Sequence, residues 1–549
     1  MNANMQIDYN ARACMRDGTT LSAIVCLPSG TGPFPCVLTR SCYTKWAAPV
    51  RERSHFWTSA GYAFVLQDVR GRGDSTGDFY PLVNEQADGF DTLEWIAAQP
   101  WSDGRVVMIG GSYGGWTQLY LASTNHPLLV ALSPAATPPD PDRSFPVHHG
   151  IPVPSAAAWL ATLDGHTNQD LASCDVPGAF KKLPIIDFDT HIGRRLGAWR
   201  DWISNAPGTS YWLGQRYQQA LLQSRMPMLH VSGWYDDCLI GTLENFSALT
   251  TRANTAEARG AQRMIVGPWL HGATGQRRVG DLDFGPAAEL QLADLQRRWF
   301  DGRLKGEVDS SPRVRLFVMG RNTWLEENEW PLARTSYLPY YLHSGGRANS
   351  RNGDGTLSPE PPGDEPGDRF RYDPSNPVPY SADFDWRQVG GPDDCAALEQ
   401  RTDMLVYTSA PFAEPLLICG PLKVRLYAAS SAHDTDWTAK VLDVYPDGRA
   451  IRLNDGVVRA RFRQGTDHEQ FLLPGVVEEY LIDCWATCVE IQPSHCLRIE
   501  IASSAFGKGD LNLNGGGPIG LETEAVVAEQ SVYHDRLRAS HLLLPVVKG

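Results

Sequence analysis

The stretch Arg105-Val-Val-Met-Ile-Gly-Gly-Ser-Tyr-Gly-Gly-Trp-Thr-Gln-Leu-Tyr-Leu-Ala122 decides how the rest of the chain reads. Arg105 to Ile109 carry the apolar run of a buried strand, and Trp116 to Ala122 suit a helix. Between them Gly110-Gly111-Ser112-Tyr113-Gly114-Gly115 fits the G-x-S-x-G pattern of a nucleophile on a strand-to-helix turn. Small residues beside Ser112 permit a turn tight enough to expose its Oγ at the edge of the sheet. The helix N-terminus behind it favours developing negative charge. A glycine-rich turn that merely joins two elements is the plainer alternative, and the correct context on both sides argues against it.

A serine hydroxyl attacks well only when a histidine accepts its proton, and that histidine needs a carboxylate to fix its tautomer. Where such a turn nucleates a hydrolase, the partners follow in the order Ser, acid, His, each just after a strand. Met226 to Gly233 runs into Trp234-Tyr235-Asp236-Asp237, and Arg263 to Trp269 runs into Leu270-His271-Gly272. Asp236 and His271 are therefore the expected acid and base, with Asp237 a rival for the acid. His230 lies in an apolar run and reads as a core histidine. His148-His149 lacks zinc-ligand spacing. Asp510-Leu-Asn512-Leu-Asn514-Gly515 looks superficially like a calcium loop, but its twelfth position is Leu521. Neither is expected to bind metal, and no cofactor is implied.

The apolar runs Cys36 to Thr39, Ala63 to Gln67 and Val106 to Ile109, with the helical spacing of Asp88 to Ala98, predict an α/β fold on a mainly parallel sheet. A helix is expected from Pro286 to Phe300. Residues 134–225 interrupt this rhythm and read as a helical insertion lying over the sheet as a lid, or as a helical unit apart from the site. Tyr211 to Ser224 could be helical within it. Beyond about residue 335, a polar stretch from Gly345 to Pro392 gives way to alternating strands such as Val424 to Tyr427 and Leu497 to Ile501. Three units follow: a split catalytic domain at 1–133 and 226–334, a helical cap at 134–225, and a jelly-roll β-sandwich at 335–549.

The 549 residues carry 49 Lys plus Arg against 63 Asp plus Glu, a formal charge of −14, and 42% are hydrophobic. Such a chain buries sizeable cores and is not disordered. Its acidity, without a basic run, argues against nucleic-acid and anionic-membrane partners. The 11 cysteines include no Cys-x-x-Cys pair, the amino terminus lacks a secretory pattern, and no apolar run approaches the ~20 residues of a membrane span. A cytoplasmic location is expected, with the assembly left open between monomer and homodimer.

Taken together, GGSYGG, GWYD and GPWLH, VRGRGDSTGDF at Val69 to Phe79 and DTDWTAKVLDVYPDGRA at Asp434 to Ala450 resemble a serine hydrolase family. It includes the cocaine esterases, α-amino acid ester hydrolases and X-Pro dipeptidyl-peptidases. The resemblance spans almost the whole chain. It implies an α/β-hydrolase domain with an inserted helical cap and a C-terminal jelly roll. It also implies Ser112 as nucleophile, Asp236 as acid and His271 as base, with an oxyanion hole formed by the Tyr113 N–H and the Tyr43 hydroxyl.

Among pocket residues it points to Trp159 in the cap and to Phe412 in the jelly roll; Trp116 and Trp269 flank the elbow and the base. Cys42 stands where relatives have proline, and Cys238 where a cocaine-cleaving relative has an aromatic residue. The carboxylate cluster that grips an amine in some relatives is not evident; Asp140, Asp142, Asp164 and Asp237 are the candidates to replace it. The expected partner is a small-molecule ester or amide. An aminopeptidase or amidase is the alternative enzyme, and a non-catalytic carbohydrate-binding protein the alternative of another class.

Overall fold

The computed structural model describes residues 5–46, 49–307, 311–382 and 390–548. The part of the polar stretch at 383–389 lies outside them. The first half of the chain builds a ten-stranded mixed sheet. In chain order its strands are β1 (Gln6–Cys14), β2 (Thr20–Leu27), β3 (Phe34–Ser41), β4 (Ala63–Asp68), β5 (Ser102–Gly111) and β6 (Leu129–Ala135). The remaining four are β7 (Met228–Tyr235), β8 (Gln262–Leu270), β9 (Val314–Val318) and β10 (Thr323–Glu327). They lie side by side in the order β1-β2-β4-β3-β5-β6-β7-β8-β9-β10.

Neighbours from β4 through β9 pair in parallel. The pairs at the two edges are antiparallel. Every residue of β4 and β7 is buried, as parallel strands with helices on both faces require. The C-terminal ends of β5, β7 and β8 therefore open on the same side of the sheet, where ligands of such folds bind.

Between β6 and β7 the chain leaves the sheet and forms short helices. Pro154–Thr162 and Gly197–Ser204 are the longest. Their own core contains Leu160, Phe188, Trp199 and Trp212. The Tyr211 to Ser224 segment holds only Ser210–Leu213 and Gln218–Leu221, separated where Gly214 ends the first turn. The helix expected to begin at Pro286 begins at Leu292 and runs to Leu304. Pro286–Ala288 forms a separate 3₁₀ turn, which Glu289 terminates with an extended ψ of 130°.

The C-terminal part is β-rich. Leu416–Ser430 pairs with Glu478–Ile491, Ala528–Tyr533 and His541–Val547, all antiparallel. Asp436–Val444 and Ala450–Arg459 form a hairpin around Pro446-Asp447-Gly448, where the Gly448 N–H donates to Tyr445 O at 2.9 Å with φ +94°. The Asp510 to Gly515 stretch is a loop tied down by Asn512, whose amide donates to Asp434 at 2.8 Å and Asp436 at 2.9 Å. No described helix is long and apolar enough to cross a membrane.

Candidate active site

The turn after β5 has the geometry that its glycines predict. Ser112 caps the helix Tyr113–Ala122 with φ 56° and ψ −122°. That conformation costs a non-glycine residue on the order of 1–3 kcal/mol, so the surroundings must enforce it. They do so by close packing. A Cβ on Gly110, at φ +156°, would lie 2.7 Å from the Gly114 carbonyl oxygen, and one on Gly115 would lie 1.7 Å from Thr137 Oγ1. The Ser112 N–H donates to Ala135 O at 2.9 Å, tying the turn to the end of β6. The Tyr113 N–H lies in the first helical turn, where donors have no intrahelical acceptor.

The Tyr113 phenol is fully buried. It donates to Glu85 Oε1 at 2.7 Å and accepts from the Leu82 N–H at 3.1 Å. Arg40 pairs with the same Glu85 at 2.9 Å, so a buried network fixes the elbow against helix Glu85–Ala97.

The expected acid and base leave adjacent strands. Asp236, 2% exposed after β7, accepts from Ser232 Oγ at 2.7 Å and from the Cys238 N–H at 2.9 Å. Its remaining acceptor position faces His271, whose Nδ1 lies 2.9 Å from Asp236 Oδ1. This arrangement fixes Nδ1 as the protonated nitrogen and leaves Nε2 as the proton acceptor. Asp237 Oδ1 lies 3.4 Å from the same Nδ1. Burial pushes the imidazole pKa down, but the two carboxylates outweigh it and bring it to about 9.

Ser112, His271, Tyr43, Trp159 and Cys238 line one cavity of about 410 Å³. Tyr43 follows β3, and its hydroxyl lies 3.4 Å from Ser112 Oγ. The indole N–H of Trp159 donates to that hydroxyl at 3.1 Å. Because an indole can only donate, the phenol accepts from Trp159 and keeps its own proton for a third partner. Burial raises the Tyr43 pKa further above the usual phenol range, so the group stays a donor. We expect Tyr43→Phe to lower kcat for an ester by about 10²- to 10³-fold, the loss of one oxyanion donor, with little change in Tm. Unaltered kcat in that variant would remove Tyr43 from the reaction.

Comparison with known proteins places this chain in a lineage. The sequence profile of the X-Pro dipeptidyl-peptidase (S15) family matches residues 17–273. That of the X-Pro dipeptidyl-peptidase C-terminal non-catalytic domain matches residues 306–543. Cocaine esterase of Rhodococcus sp. (strain MB1 Bresler) is 34% identical over 587 aligned positions that cover 100% of both chains. The chain belongs to this family of serine hydrolases. An aminopeptidase from the marine sediment archaeon Thaumarchaeota archaeon is similar at 25% identity and TM-score 0.86, covering 100% of this chain and 97% of that one. An α-amino acid ester hydrolase at 24% identity shares the fold, with TM-score 0.87 over 99% and 97% of the two chains.

Within this serine hydrolase the other expected pocket residues divide. Trp116 lines the cavity, with its indole donating to Pro139 O at 3.2 Å. Trp269 does not. It is fully buried where the β7–β8 register shifts, its indole donates to Ala288 O at 3.1 Å, and it packs on Trp324. Phe412 is also outside the cavity; it packs on the core of the β-rich domain, and its N–H donates to His495 O at 2.9 Å.

Of the four carboxylates considered for amine binding, three are engaged away from the cavity, and Asp237, 3.4 Å from His271 Nδ1, faces it. Asp140 accepts from the Tyr217 and Gln218 N–H groups, Asp142 pairs with Arg216, and Asp164 pairs with Arg194. Asp237 lines the cavity, together with the exposed Asp170, which the sequence reading missed.

A larger omission was Arg72, in the Val69 to Phe79 motif. Its fully buried guanidinium donates to Cys42 O at 2.6 Å, Leu163 O at 2.5 Å and Asn168 Oδ1 at 2.6 Å. Asn168 in turn donates to Tyr43 O at 3.2 Å. The loop carrying Tyr43 is thus clamped to the helical insertion by an arginine that also holds the Cys42 carbonyl. Two arginines among glycines, as in RGRG, were the available signal.

Proposed function

We propose that this hydrolase cleaves carboxylic esters of small acyl substrates through an acyl-enzyme on Ser112. The observation that carries the reading is one cavity shared by the Ser112 Oγ, a hydroxyl 3.4 Å from it and the paired His271. In the cycle, His271 Nε2 takes the Ser112 proton as Oγ attacks the carbonyl carbon. The Tyr43 hydroxyl and the Tyr113 N–H receive the developing oxyanion. Protonated His271, stabilised by Asp236, then donates to the leaving alcohol, and water repeats the sequence on the acyl-enzyme. The segment at 134–225 acts as a cap through Trp159, and 335–549 forms a jelly-roll domain behind it.

Trp116, Phe145 and Trp159 give the cavity aromatic walls, which suits an aryl or similarly flat group. Cys238 stands in the wall as a small residue, which leaves room there that an aromatic side chain would fill. A second reading, a substrate with a free amine, rests on Asp170 and Asp237 in the cavity lining and on the similarity to an aminopeptidase. Purified protein tested on aryl esters, α-amino acid esters and Xaa-Pro amides should give its highest kcat/KM on an aryl ester. Faster cleavage of Xaa-Pro amides would select the amine reading instead.

A further inference from the structure

We propose that Asp236, Asp237, Cys238 and His271 form a binding site for a thiophilic divalent cation of the zinc type, and that its occupancy switches the hydrolase off. One donor atom from each of these residues lies within 4.8 Å of all the others. His271 Nδ1 is 2.9 Å from Asp236 Oδ1 and 3.4 Å from Asp237 Oδ1, and Cys238 Sγ is 3.7 Å from Asp237 Oδ1. Tetrahedral zinc with bonds of about 2.0–2.3 Å holds its ligands about 3.3–3.8 Å apart. The pairs at 3.4 and 3.7 Å already have that spacing, and bringing the widest pairs, which lie within 4.8 Å, to it takes side-chain shifts on the order of 1 Å.

The donor set also chooses the ion. Thiolate and imidazole suit zinc or cadmium, whereas calcium and magnesium take oxygen ligands. Charge favours a cation of any kind there, because His271 makes the ion-pair contacts to both carboxylates and Lys508 acts on Asp237 only from farther off. Neither Asp237 nor Cys238 has a part in the triad. Burial and the two carboxylates keep the Cys238 thiol protonated, so coordination forms a metal–sulfur bond and releases the thiol proton to solvent. Access is open, since Asp237, Cys238 and His271 all line the substrate cavity.

The effect on turnover follows from the tautomer. A cation on Nδ1 replaces the proton that this nitrogen donates to Asp236; that proton leaves the imidazolium for solvent, and the second ring proton stays on Nε2, the atom that must accept from Ser112. Metal binding and proton abstraction thus exclude each other. This second half rests on His271 being the base; the binding site itself does not.

The two halves are tested separately. Zinc chloride titrated into the Ser112→Ala protein by calorimetry should bind at one ion per chain. Cys238→Val and Asp237→Asn, each in that background, should weaken binding at least about 10-fold, since even outer-shell partners are worth that much. In the wild-type enzyme zinc should inhibit aryl-ester hydrolysis reversibly with EDTA, while magnesium and calcium should not, and both substitutions should desensitise relative to each variant's own EDTA-treated rate. No stoichiometric binding, or equal affinity in both variants, overturns the site. Absence of ester hydrolysis would count against the proposed activity while leaving the calorimetric result to decide the site.

Discussion

Ser112→Ala lowers kcat/KM for an ester by about 10⁶-fold, the scale seen when an acting unit of nucleophile and base loses its nucleophile. The effect is large because the variant removes the bond-forming atom, while the remaining donors act only by polarising the carbonyl. The fold should survive. Ser112 Oγ makes a long hydrogen bond of 3.4 Å to the Tyr43 hydroxyl, and the turn is held instead by the Ser112 N–H and by the packing of Gly110 and Gly115. A Tm change below about 4 °C is expected for so small a loss. Appreciable residual turnover in this variant, measured by initial rates on an aryl ester, would end the assignment.

The two neighbouring aspartates separate by role. Asp236→Asn should cost about 10⁴-fold in kcat, because one amide oxygen cannot replace both Oδ1, which faces the Cys238 N–H and His271 Nδ1, and Oδ2, which accepts from Ser232; a neutral amide also no longer stabilises the imidazolium, and its NH₂ group turned toward Nδ1 favours the unproductive tautomer. Asp237→Asn should leave kcat at high pH nearly intact and change the pH profile instead. The base must be neutral to act, so activity rises with pH through the His271 pKa, which is lifted to about 9 by both carboxylates against the effect of burial. Removing the Asp237 charge withdraws part of that lift, and the acidic limb of kcat/KM moves to lower pH. A pH–rate series on the three proteins distinguishes the residues; a limb that stays in place in Asp237→Asn would show that Asp237 does not act on the base.

That Ser112 and His271 line one cavity, with Asp236 paired to the histidine, was legible because each follows a strand and carries a recognisable residue type, and because parallel strands deliver their C-terminal ends to one side. The same logic failed for Trp269. Adjacency to the base suggested a pocket residue, but the shift in register between Gly267 and Leu270 and the Ala288 carbonyl draw its indole into the core.

Arg72 was missed for the opposite reason. A glycine-flanked arginine reads as a surface turn, and only the folded chain brings Leu163 and Asn168 from the insertion, more than ninety positions away, onto its guanidinium. The helices of the insertion were only broadly legible. Segments such as Ser210–Leu213 and Gln218–Leu221 are too short to be stable alone, and their packing against Trp199 and Tyr120 neighbours decides them.

A covalent intermediate at Ser112 is the centre of the proposed cycle. Intact-mass and peptide mass spectrometry after treatment with a fluorophosphonate measures it directly. One adduct per chain is expected, on the peptide containing Gly110 to Gly115, with none in Ser112→Ala. No adduct, or an adduct that persists in Ser112→Ala, would contradict it.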